Sequence, residues 1–89
     1  KQVEAMKRDG MTIGRVAGND IVLTDLLVSR LHARIQYEDS SYQVIDLNST
    51  NGTFLGDQKL LPGVAESWRP GTLLRLGDTV LRLLPGKKD

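Results

Sequence analysis

The chain has 89 residues, 12 Lys plus Arg against 11 Asp plus Glu, a single His and no Cys. That length supports one domain with a modest core, and a net charge of +1 sets up no global field for nucleic acid or an anionic membrane, so any anion recognition must be local. The missing cysteines exclude a disulfide framework and thiol or Cys-based zinc chemistry, and make a reducing, cytoplasmic setting the natural one.

In chain order, "QVEAM" at 2–6, "MTIGR" at 11–15 and "DIVL" at 20–23 read as short strands, with turns at Asp9-Gly10 and Gly18-Asn19-Asp20. "HARIQYE" at 32–38 alternates, with Ala33, Ile35 and Tyr37 on one face and His32, Arg34, Gln36 and Glu38 on the other. "EDSS" then turns the chain back into "YQVIDL" at 42–47, an antiparallel pair. "LNSTNGTF" at 47–54 follows, and its Asn51-Gly52 predicts a type I′ hairpin turn, in which both central residues need positive φ. "TFL", "KLL", "LLRL" and "TVLRLL" complete the strands, separated by turns at Gly56-Asp57, Pro62-Gly63, Pro70-Gly71 and Gly77-Asp78. Many short strands with turns between them and no convincing helix predict an all-β sandwich or barrel. "LPGVAESWRPG" is the least regular segment; its Trp68 reads as a core plug rather than a binding aromatic. "GKKD" at the end reads as a solvated tail.

No apolar run approaches a membrane span, and no charged-then-apolar leader opens the chain. The start at Lys1 suggests a fragment of a larger protein.

Catalytic apparatus is missing from the sequence. Ser29 and His32 in "SRLH" could touch, but a nucleophile also needs an orienting acid and oxyanion donors, and no G-x-S-x-G elbow is present. His32 is better read as a structural histidine holding a loop. One His and scattered acids make no metal cluster, and neither a phosphate loop nor a dinucleotide fingerprint occurs, so no cofactor is expected. What remains is a set of donors at strand ends: Arg15, Ser29, Arg30, Thr50 and Asn51. Each alone reads as a solvated charge or a turn former. Together, two guanidiniums, two hydroxyls and an amide suit a phosphate dianion.

"GR" at Gly14-Arg15, "ND" before an apolar strand, "SRLHA" at 29–33, "DLNSTNGT" at 46–53 and the late "LGD" at 76–78 occur in the order and at the separations of forkhead-associated (FHA) domains. The chain resembles that family over about residues 11–84. The resemblance implies a single domain over 1–89, built as a β-sandwich of two twisted, mainly antiparallel sheets whose loops at one edge bind phosphothreonine peptides. It assigns Arg15, Ser29, Arg30 and Thr50 to the phosphate, Arg30 adding charge and its backbone N–H, and Asn51 to the peptide backbone. It makes Gly14, His32 and Gly52 structural, with Asn48 and Ser49 serving the loop itself. Selectivity for the residue three places after the phosphothreonine falls to "DLLV", Leu26, Leu27 and Val28, and favours an apolar residue there.

Thirteen residues precede Gly14, room for "QVEAM" and "MTI" but not for the family's first strand. The fragment is then trimmed or leaves an edge open, and an open edge would permit dimerisation of a chain otherwise expected to be a monomer. The expected partner is a phosphothreonine-containing substrate of a Ser/Thr kinase, with no nucleic acid and no direct membrane contact. The competing reading is a structural or self-associating domain that works without phosphate.

Overall fold

Period-two alternation decides which side of each strand is buried. In Leu73-Leu74-Arg75-Leu76, Leu74 and Leu76 face inward while Leu73 and Arg75 are exposed. The computed structural model describes residues 10–83, and among them nine strands form and no helix. These are β1 (Met11–Gly14), β2 (Ile21–Val22), β3 (Ala33–Glu38), β4 (Ser41–Asp46), β5 (Thr53–Leu55), β6 (Gln58–Lys59), β7 (Glu66–Trp68), β8 (Leu73–Leu76) and β9 (Thr79–Arg82).

Five strands make one sheet in the order β2-β1-β3-β4-β7, and four make the other in the order β6-β5-β8-β9. Every pairing is antiparallel except β1 with β2. The two inner faces close on one core. Ile13, Ala33, Ile35, Val44 and Trp68 come from the first sheet and Leu55, Leu74, Leu76 and Leu81 from the second, with Val28 and Leu60 filling in from the connections.

Three local expectations change, and a fourth is not tested. "QVEAM" lies outside the described residues. The "KLL" strand is instead Gln58–Lys59, and Leu60 turns into the core. Irregular "LPGVAESWRPG" contains a strand, β7, which adds to β4 with Tyr42 opposite Trp68 and Val44 opposite Glu66. The type I′ turn is not at Asn51-Gly52. It is at Asp39 (φ 55°) and Ser40 (φ 64°), the two residues joining β3 to β4. β4 and β5 belong to different sheets, so residues 47–52 form a crossover, and its left-handed residues are Asn48 (φ 61°) and Gly52 (φ 89°).

The alternation of β3 also fails at its ends. Tyr37, expected beside Ala33 and Ile35, is exposed near the hairpin tip and packs edge-on against Tyr42, with ring centroids 4.8 Å apart. His32, expected outward, is fully buried, because the crossover covers the strand's start.

Asp46, the last residue of β4, shapes that crossover. Its carboxylate accepts the hydroxyls of Ser49 and Thr53 and the backbone N–H of Ser49. Burial alone would raise this carboxyl, but the Ser49 and Thr53 bonds outweigh it and hold the group below its ordinary value of 3.8. No helix among the described residues is long and apolar enough to cross a membrane.

Trp68 is 1% exposed, and its Nε1–H donates to Thr72 O at 2.8 Å. Trp68→Ala is expected to lose about 3–5 kcal/mol, the range for truncating a large buried aromatic, read as a lower urea midpoint. The fluorescence of this lone tryptophan should shift to the red on unfolding. Asp46 gives a pH prediction. Its folded-state pKa lies below the unfolded value, so its stabilisation is complete at neutral pH and fades as the pH falls below about 4. Urea midpoints measured down that range should drop for the native chain and drop less for Asp46→Asn, which starts lower at neutral pH.

Candidate functional site

Three connections gather at one end of the sandwich: residues 15–20, 23–32 and 47–52. Gly14 allows the first two to meet. A Cβ there would stand 2.0 Å from the Arg30 carbonyl oxygen, inside any permitted contact, so any side chain would push β1 off the loop. Arg15 N–H is shared between the carbonyls of Ser29 (3.0 Å) and Arg30 (3.1 Å), and Arg15 Nε donates to Val28 O at 2.9 Å. The guanidinium is thereby aimed by the backbone of the loop it serves, its two terminal nitrogens completing the fork. Asn19 adds a second tie, its Nδ2 donating to both Val16 O and Arg30 O at 2.8 Å.

His32 joins the second connection to the third. Its Nδ1 accepts the Ser29 N–H at 2.9 Å, and Nε2 lies 2.9 Å from Gly52 O. An accepting Nδ1 puts the ring proton on Nε2, which then donates to the carbonyl. The backbone of His32 is engaged as well, its N–H with Ile13 O and its carbonyl with Leu47 N–H. The ring therefore meets the backbone of Ser29 rather than its hydroxyl, which is not the contact of a base with a nucleophile.

The Ser29 hydroxyl faces the crossover instead, its Oγ accepting Thr50 N–H at 2.9 Å. An oxygen that accepts there still has its own proton to donate. Asn51 Nδ2 donates to Leu27 O at 2.8 Å, which orients an amide whose oxygen and second N–H can match the two polar groups of a peptide unit. Both Thr50 and Asn51 are exposed. Gly52, between them and β5, holds the left-handed backbone that brings its carbonyl to His32 and its N–H to Ser49 Oγ at 3.0 Å.

Arg15, Ser29, Arg30, Thr50 and Asn51 are thus brought to one edge. Arg30 is exposed, and its carbonyl takes the bonds from Arg15 and Asn19. The three candidates for selectivity separate. Leu26 is 84% exposed and Leu27 44%, whereas Val28 is 1% exposed and belongs to the core, so its side chain cannot read a peptide. Among the described residues no group of three or more His, Asp or Glu gathers as a metal site.

Sequence reasoning did not assign Asn19, Asp25 or Asp46 to this edge. Asp46 carried a usable signal: it shares strand parity with buried Val44 and stands three residues before a Ser, the spacing of a side chain that closes a turn on the backbone.

The FHA domain family profile matches residues 11–77. The FHA domain-containing protein FhaB of Mycobacterium tuberculosis is 41% identical over 73 residues, which cover 82% of this chain and 46% of FhaB. The chain spans about half the length of the curated relatives it matches. Among solved structures, the FhaA FHA domain complexed with the intracellular domain of Rv3910 is similar with a TM-score of 0.76 and 28% identity, over 86% of this chain and 81% of that one. An FHA domain from work on phosphothreonine-dependent FHA domain interactions gives a TM-score of 0.75 and 29% identity, over 84% and 75% of the two chains. With the profile running from β1 to the turn after β8 and spanning all three joined connections, the chain belongs to the FHA domain family.

Proposed function

We propose that this chain is a phosphothreonine-dependent docking module, part of a larger signalling or regulatory protein of the cytoplasm, and that it binds its partner without chemical change. The observation that carries the reading is the convergence of Arg15, Ser29, Arg30, Thr50 and Asn51 on one edge, with the Thr50 N–H to Ser29 Oγ bond at its centre. The relatives support it: one solved neighbour is described by phosphothreonine-dependent interactions and another is held in complex with a partner's intracellular domain.

Phosphorylation adds nearly two negative charges and strong acceptor oxygens to a threonine. Arg15 and Arg30 supply charge, the Ser29 and Thr50 hydroxyls supply donors, and Asn51 takes the peptide backbone beside the phosphate. A plain threonine offers none of the acceptors that these groups are set to meet, so the modification acts as the switch. The fixed geometry adds to affinity, because the loops are already hydrogen-bonded and little ordering is left to do on binding. Leu27, half exposed beside Asn51, is the side chain best placed to meet a residue further along the peptide.

Calorimetry with phosphothreonine, phosphoserine and unmodified peptides tests the reading. Arg15→Ala is expected to weaken phosphopeptide binding by about 2 kcal/mol, roughly thirtyfold. The same change should cost the fold only about 1 kcal/mol, since its Nε bond to Val28 O is a single, part-buried side-chain hydrogen bond. Affinity should also decline as the pH falls through about 6, where the phosphate takes up its second proton. Equal binding of phosphorylated and plain peptides would sink the proposal in favour of phosphate-independent assembly.

A further inference from the structure

Asp25 lies four residues before Ser29 in the second connection, and the site as described makes no use of it. Its carboxylate bridges the two sheets. One oxygen accepts Leu27 N–H at 2.9 Å, and the other accepts Asp78 N–H at 2.7 Å, from the turn between β8 and β9, and the hydroxyl of Thr79, the first residue of β9, at 2.9 Å. Those bonds, Leu27 N–H foremost and then the Thr79 hydroxyl, hold the Asp25 carboxyl below its ordinary 3.8. The turn is pressed against the same place: a Cβ on Gly77 would stand 2.8 Å from Leu27 Cβ and 2.9 Å from Asp25 Oδ2.

Leu27 is then held from both sides. Asp25 takes its N–H, and its carbonyl accepts the side-chain amide of Asn51 at 2.8 Å. A continuous chain of hydrogen bonds runs from Asp78 and Thr79 through Asp25 and Leu27 to Asn51, linking residues more than fifty positions apart. We infer that Asp25 is a positioning residue for peptide recognition: it sets the Leu27 carbonyl that orients the Asn51 amide, and so couples the turn between β8 and β9 to the binding edge. The inference rests on the reading that Asn51 holds the peptide backbone.

A purely structural clasp would act on folding alone. These bonds lie near the surface, where water replaces a lost partner at small cost, so removing the carboxylate should change where Asn51 sits more than whether the chain folds.

Three variants test this, Asp25→Ala, Asp25→Asn and Thr79→Val, each measured by calorimetry against one phosphothreonine peptide and by NMR of the Asn51 side-chain amide in the free protein. Asp25→Ala should shift or broaden the Asn51 amide signals and weaken the peptide about tenfold, within the reach of changes along a coupled contact network. Thr79→Val, which removes one of the three bonds, should move both readouts less and in the same direction. Asp25→Asn keeps acceptor oxygen and should retain part of the affinity. Unchanged Asn51 signals and unchanged affinity in a folded Asp25→Ala overturn the inference. If that variant does not fold, unchanged readouts in Thr79→Val overturn it instead. A native chain that binds no phosphopeptide defeats the functional reading on its own, while the Asn51 signals still decide whether Asp25 positions that amide.

Discussion

The neutral imidazole of His32 is the joint on which the binding edge depends. A ring with a lone pair on one nitrogen and a proton on the other can accept from one loop and donate to the next, and that is how it spans Ser29 N–H and Gly52 O. Its main chain is held by β1 on one side and by the start of the crossover on the other. Four hydrogen bonds therefore fix one buried residue, and through it the spacing between the loop carrying Ser29 and the loop carrying Thr50. A Phe of similar bulk would leave the Ser29 N–H and the Gly52 carbonyl without their partner, and a lost partner in a buried place costs more than the bond itself contributed.

Around that joint the chain concentrates charge without carrying much overall. Its net charge is +1, yet Arg15 and Arg30 stand at one small edge, and two acids beside it are engaged with loop donors. Asp46 closes the crossover on Ser49 and Thr53, and Asp25 takes three donors from two segments. Carboxylates spent on N–H and hydroxyl donors shape the loops without being pointed at an incoming anion.

Much of this was legible from residue order, and the parts that were not share a cause. Strands with alternation, such as 33–36 and 73–76, were readable because a half-buried sheet imposes period two on whatever sequence adopts it. The ordered motifs identified the edge residues. β7 was hidden because three residues between glycines and prolines carry no period, and its register comes from β4, more than twenty positions earlier. Asn51-Gly52 misled for a related reason. Its local preference is that of a hairpin, but the sandwich sends the next strand to the other sheet, so Asn51 gives its side chain to Leu27 and the left-handed positions are Asn48 and Gly52. Val28 illustrates the limit for loops: nothing in "DLLV" distinguishes the residue that enters the core from the two beside it that do not.

The hydrogen bonds that join the loops of this edge to one another are long in sequence. His32 reaches Gly52 over 20 residues, Ser29 reaches Thr50 over 21, Leu27 reaches Asn51 over 24, and Asp25 reaches Thr79 over 54. No stretch of the chain can assemble such an edge by itself, and loop closure over these spans must be paid before any of the contacts return free energy. During synthesis the residues of this edge leave the ribosome well before the turn between β8 and β9 that closes on Asp25. The edge is thus completed only when the last strands have docked, and local unravelling of those strands removes the Asp25 bonds that tie the two sheets together.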